Sequence, residues 1–140
     1  MAANFLLDTC LFSEFKKPQP EPKVIDWLSG QIEETLFLSV ITIGEIQKGI
    51  SGLVPSKKRT DLENWLQSLI IRYYGRILSL GIDEIMFWGE TIDKLEKKGR
   101  VLPFMDSLIA ATALKHNLVV ITKNEADFKN TGVKILNVWK

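Results

Sequence analysis

The sequence holds a single cysteine, Cys10, and a single histidine, His116. One cysteine excludes an internal disulfide and a thiolate metal cage, and it suits a reducing compartment. One histidine cannot supply a separate imidazole acid and base. Charge of one sign is missing too: 18 basic residues face 17 acidic ones, a net charge of +1. No global field therefore announces a nucleic acid or a membrane surface, and any charged site has to come from local clustering. The most apolar stretch, "LFLSVITIG", is far too short to span a bilayer. The start "MAANFLLD" has neither the basic region nor the apolar length of a signal peptide. Neither a G-x-S-x-G elbow nor a G-x-x-x-x-G-K-[ST] phosphate loop occurs. These absences predict a soluble, unprocessed, cytoplasmic protein. With 140 residues, 46% of them hydrophobic, the chain fits one domain over residues 1–140 that buries about two-thirds of its unfolded surface.

What is present is alternation. Asn4–Leu7 reads as a short buried strand and is followed by a short helix, and three prolines in "KKPQPEPK" then break the chain before a helix through Val24, Ile25, Trp27 and Leu28. "TLFLSVIT" is a β-branched strand pattern ending at Thr42, with a helix carrying Ile43, Ile46 and Ile50 behind it. From Ser56, Leu62, Trp65, Leu66, Leu69, Ile70 and Tyr73 form one apolar stripe that Gly75 closes. "RILSL" is a third strand. Ile85, Trp88, Ile92 and Leu95 then mark a helix that ends in "EKKGR", with lysines and a glycine where helix C-termini favour them. Asp106 opens an Ala-rich helix, "LVVIT" is a strand, and "VKILNVW" reads as an edge strand. Continuous apolar strands alternating with helices predict a three-layer α/β/α sandwich around a mostly parallel sheet.

Acidic and amide side chains recur at one kind of place in this pattern. Asp8 directly follows the first strand, Glu45 lies in the first turn after the second, Asp106 stands at a helix start, and Asn124 and Asp127 follow "LVVIT". Each has a local explanation. Asp8 and Asp106 are good N-caps, Thr42-x-x-Glu45 is a capping box, and Asn124-x-x-Asp127 resembles another cap. Their joint placement says more, because ligands of open parallel sheets bind outside the carboxyl ends of the strands, where strand order reverses. A central first strand flanked by "LFLSV" and "LVVIT" would gather these acids in one crevice.

Gathered carboxylates repel one another unless a cation compensates. A hard divalent ion, Mg²⁺ or Mn²⁺, is the expected occupant. Zinc suits the donor set less, and His116 is better placed to meet a helix C-terminus than a metal. The chemistry left to such a site is metal-assisted displacement at phosphorus. A signalling receiver shares the parallel sheet and the acidic pocket. It needs an aspartate ending the third strand, however, and "RILSLG" ends without one.

At these residues the chain resembles the PIN-domain ribonucleases, and among them the VapC toxins of bacterial type II toxin–antitoxin pairs, including their FitB-like branch. "LLDTC" resembles the family's opening L-D-T-N, "SVITIGEIQKGI" its S-x-x-T-x-x-E-x-x-x-G, and the run from Asp106 its D-x-x-I-A-A block with the closing T-x-N-x-x-D-F. The likeness extends from Phe5 to the last strand. It implies a five-stranded sandwich and a metal-dependent endoribonuclease acting on RNA, with tRNA or ribosomal RNA as the substrate class. Asp8, Glu45 and Asp106 would hold the metal, and Asp127 or Asn124 would be the fourth site residue. Thr9, Ser107 and Thr122 would orient the carboxylates. Cys10 departs from the family's usual asparagine, and Asn124 stands where many relatives carry aspartate.

The resemblance also implies a homodimer and a small VapB-type antitoxin lying in the active-site groove, with no membrane role. Lys16, Lys17, Arg100 and Lys123 are candidates for a phosphate path, since each neighbours a block bearing a site acid. Two alternatives share the fold: a PIN nuclease of ordinary RNA processing, and a non-catalytic metal-binding PIN module.

Overall fold

The computed structural model describes residues 3–140. Met1 and Ala2, where the expectation of an unprocessed amino terminus falls, lie outside the described residues. The five strands are β1 (Phe5–Leu7), β2 (Leu36–Ser39), β3 (Ile77–Leu78), β4 (Val119–Ile121) and β5 (Ile135–Leu136). They form one sheet in the order β3-β2-β1-β4-β5, and every pairing is parallel. β1 is therefore central, with β2 and β4 at its sides as the expected crevice requires. β3 lies at an edge with no acid at its carboxyl end, unlike a signalling receiver.

Side chains alternate across the sheet, so each strand feeds two cores. Leu7, Leu36, Leu38 and Ile121 point to one face. There they meet the helices α1 (Thr9–Phe15), α2 (Pro22–Ser29), α3 (Val40–Ser51) and α4 (Lys57–Arg72) through Leu11, Val24, Ile46, Ile50 and Leu66. Leu6 and Val120 point to the other face, against α5 (Ile82–Lys97), α6 (Phe104–His116) and the single turn α7 (Glu125–Phe128). Ala110 and Ala113 are buried there, and their small side chains let α6 approach the strands closely. Leu6 is fully buried, so its truncation to alanine would cost ~2–5 kcal/mol.

Several boundaries differ from the sequence pattern, and local hydrogen bonds account for two of them. The second strand stops at Ser39 rather than Thr42, because the Ser39 hydroxyl accepts the Ile41 N–H at 3.0 Å and starts α3 immediately. Val40, Ile41 and Thr42 are β-branched, and packing overrides their strand preference. α6 begins at Phe104, two residues before Asp106, with the Pro103 carbonyl accepting the Ser107 N–H at 2.9 Å. The last strand shrinks to Ile135–Leu136. Among the described residues no helix is long and apolar enough to cross a membrane.

Candidate active site

β1 ends on Leu7, and the ladder continues for one more bond as the Asp8 N–H donates to the Ile121 carbonyl at 3.1 Å. Asp8 is held there by the sheet and is only 6% exposed. Its Oδ1 accepts the Thr9 N–H at 2.8 Å, which makes it the N-cap of α1. Its Oδ2 accepts the Thr122 hydroxyl at 2.9 Å and faces the Cys10 thiol at 3.8 Å. Burial pushes the Asp8 carboxyl above its ordinary range. The bonds from Thr122, Thr9 and Cys10 oppose that rise, and the negative charge of Asp127 adds to it. One oxygen of the carboxylate thus serves as the cap, and the other is held by side chains at the end of β4 and in α1.

Glu45 rides on the second turn of α3, because the helix starts at Val40. The capping box expected between Thr42 and Glu45 does not form, since Ser39 already caps the helix. Glu45 instead accepts the Thr9 hydroxyl at 2.8 Å, so Thr9 connects Asp8 through its amide and Glu45 through its side chain. The Thr42 hydroxyl, one turn before Glu45, is fully buried and has no hydrogen-bond partner among the described residues.

Asp106 sits in the first turn of α6, where the helix dipole favours negative charge, yet its carboxyl is pushed up to about 6. Desolvation is the largest cause. The charges of Asp127 and Asp8, a hydrogen bond with Asp127 and the charge of Glu45 follow. Asp106 therefore senses all three other acids, which puts the four carboxylates in one field. Among the described residues none of the four makes an ion pair.

The supporting side chains divide. Thr122 is fully buried, donates to Asp8 and accepts the Asn124 N–H at 3.1 Å, so it ties the end of β4 to the end of β1. Asn124 occupies the N-cap position of α7, and its side chain makes no capping bond there. Ser107 is not turned to the acids. Its hydroxyl donates to the Phe104 carbonyl at 2.6 Å and accepts the Trp88 indole N–H at 2.9 Å. Trp88, which the sequence pattern counts as part of an apolar stripe, thus pins the start of α6 from α5. The demand of a half-buried indole N–H for an acceptor is the signal that could have revealed it.

The basic residues expected along a phosphate path have protein partners of their own. Lys17 pairs with Glu14 at 3.0 Å. Lys16 lies 4.9 Å from the Trp65 ring centre and Lys123 lies 5.8 Å from that of Trp139. Arg100 donates to the Lys129, Ala126 and Asp127 carbonyls. His116 ends α6, at the helix C-terminus where the sequence pattern puts it.

Comparison with known proteins bears on this arrangement. The family model for the PIN domain matches residues 5–134. This chain belongs to the PIN-domain family. It is 32% identical to the VapC ribonuclease Y4jK of Sinorhizobium fredii, across 96% of this chain and 97% of that protein. It is 34% identical to the toxin FitB of Neisseria gonorrhoeae, again across 96% and 97%. The crystal structure of FitAcB from Neisseria gonorrhoeae superposes with a TM-score of 0.90 at 34% identity, covering 96% of this chain and 98% of that one. These place it in the VapC and FitB-like branch of the PIN-domain family.

Proposed function

We propose that this single-domain PIN protein is the toxin of a type II toxin–antitoxin pair, a cytoplasmic endoribonuclease that hydrolyses RNA phosphodiester bonds with Mg²⁺ or Mn²⁺. The observation that carries the reading is that desolvation, and after it the charges of Asp127, Asp8 and Glu45, push the Asp106 carboxyl up, while no basic side chain among the described residues pairs with any of the four. Clustered, unpaired carboxylates are a donor set for a hard cation. Among the described residues no group of three Asp, Glu, His or Cys side chains stands ready to hold an ion by itself. Water would complete the shell, as Mg²⁺ commonly requires.

In this reading Asp8, Glu45 and Asp106 would hold the metal, which when bound would supply activation of water and stabilisation of the leaving oxygen. Thr9 and Thr122 keep Asp8 and Glu45 in fixed rotamers. Asp127, in hydrogen-bond contact with Asp106, would help position a water, and Asn124 stands at the N-cap of the same short helix. Ser107 acts at one remove, through the start of α6. The names of the S. fredii and N. gonorrhoeae relatives, a ribonuclease and a toxin, support both halves of the proposal. A VapB-type antitoxin partner follows from the same likeness. Ile82, Met86, Phe104 and Met105 are exposed on α5 and the start of α6, which supports a protein partner on that side, as a homodimer needs.

The test is cleavage of RNA by the purified protein in Mg²⁺ or Mn²⁺, beside Asp8→Asn. Asparagine caps helices about as well as aspartate, so melting temperature should be nearly preserved while cleavage falls at least ~10²-fold. An Asp8→Asn protein that cuts at the unmutated rate would overturn the site.

A further inference from the structure

We propose that Arg100 is a positioning residue for Asp127, holding the one-turn helix that carries this acid against the crevice. The inference rests on the reading of Asp127 as a site acid. It begins with the way α5 ends. Gly99 takes φ +82, its N–H donates to the Glu96 carbonyl at 2.9 Å, and the Arg100 N–H reaches back to the Leu95 carbonyl at 2.9 Å. This pair of bonds is the Schellman motif, whose left-handed position favours a residue without a Cβ. "KKGR" is thus a helix stop that fixes the backbone of the arginine following it.

From that fixed point the guanidinium crosses to α7. Its Nε donates to the Lys129 carbonyl at 2.7 Å, and its Nη2 donates to the Ala126 and Asp127 carbonyls at 2.6 and 2.7 Å. A four-residue helix cannot hold itself together, because its last carbonyls have no partner within it. Arg100 supplies donors to two of those carbonyls and to the one just beyond, and Asp127 is one of the three residues it grips. A planar fork with several donors can do this, whereas a lysine ammonium is a single point. Phe128 anchors the same turn from below in the second core. Burial of Phe128 fixes how deep the turn sits, and the guanidinium fixes its rotation, on which the direction of Asp127 depends.

Arg100 therefore serves the site without touching RNA, and kinetics separate the two roles. With a fluorophore- and quencher-labelled single-stranded RNA oligonucleotide in Mn²⁺, kcat and KM are measured for Arg100→Ala, Arg100→Lys, Asp127→Ala and the Arg100→Ala/Asp127→Ala double variant. We expect Arg100→Ala to lower kcat about 10- to 100-fold with KM within about twofold, the cost of a displaced group next to the chemistry. Arg100→Lys, which keeps the charge and secures the fold if the alanine variant is unstable, should also lose kcat. In the Asp127→Ala background the loss of Arg100 should add nothing further. A rise in KM with kcat unchanged would overturn the proposal and return Arg100 to the phosphate path. Unchanged kcat in Arg100→Ala or Arg100→Lys would do the same, even if the melting temperature drops. If Asp127→Ala itself cuts RNA normally, the site reading of Asp127 fails and the proposal falls with it, whereas a normal Arg100→Lys beside an impaired Asp127→Ala removes only the proposal.

Discussion

In the metal-free protein, Asp106→Asn should stabilise the fold at neutral pH, although it removes a first-turn acid from a helix. The Asp106 carboxyl is raised from 3.8 to about 6. If fully felt, a rise of that size corresponds to ~3 kcal/mol of unfavourable charging. Asp106 is only half-buried, so solvent screening reduces the expected effect to ~1 kcal/mol. A raised carboxyl means that the unfolded chain ionises before the folded one does. The stability this group contributes is complete below about pH 4 and is lost as pH climbs through about 6. At pH 7.5 in EDTA the charged Asp106 is therefore a burden, and its neutral replacement should melt higher by ~3 °C for a domain of this size. At pH 4 the advantage should vanish. Mg²⁺ or Mn²⁺ should raise the melting temperature of the unmutated protein more than that of the variant. Differential scanning fluorimetry at the two pH values, with and without metal, reads all of this. A variant that melts lower at pH 7.5 and is equally distant at pH 4 would mean that Asp106 is a helix-terminal acid and nothing more.

Glu45→Gln keeps an acceptor for the Thr9 hydroxyl while removing a charge from the cluster, so the metal-free variant should melt no lower than the unmutated protein and should not cut RNA. A clear fall in melting temperature with activity retained would reduce Glu45 to a structural role. Thr42→Val exchanges a buried, unpartnered hydroxyl for a methyl group of the same shape and should gain ~1 kcal/mol in a chemical denaturation series. A loss there would reveal a partner for that oxygen. Glu14 accepts bonds from the Trp139 indole, the Glu21 amide and Lys17, which hold its carboxyl down to about 2. Glu14→Gln should destabilise at pH 7, and the difference should fade as pH falls from about 4 towards 2, because the benefit of a depressed carboxyl is lost in that window. A gap that stays constant down to pH 2 would show that charge plays no part in tying the carboxyl-terminal segment to α1.

The sheet was readable in the sequence because buried parallel strands admit few polar residues, so "FLL", "LFL" and "VVI" stand out and whatever ends them stands out as well. Asp8 was conspicuous for that reason. The start of α3 was harder, since Val40, Ile41 and Thr42 continue the strand composition and the cap that stops the strand, Ser39, looks like one more strand residue. The contacts of Ser107 and Arg100 are illegible in the sequence for a different reason. Their partners lie 19 and 26–29 residues away on other elements, Trp88 for one and the α7 carbonyls for the other, and no local spacing encodes such a meeting.

Asp8 can be read as a helix cap or as a site acid, and its two carboxylate oxygens leave room for both. Oδ1 is used by the Thr9 amide and Oδ2 by Thr122, which directly follows β4 and lies 114 residues away in sequence. A cap needs only the first bond. The second is what a rigid carboxylate at the mouth of a crevice needs, and it draws the ends of β1 and β4 together where Glu45 and Asp106 are also presented. If the proposed site is right, a residue that ends a strand, starts a helix and faces the crevice cannot be replaced by a better cap without losing that site. A strand this apolar can therefore end on an acid.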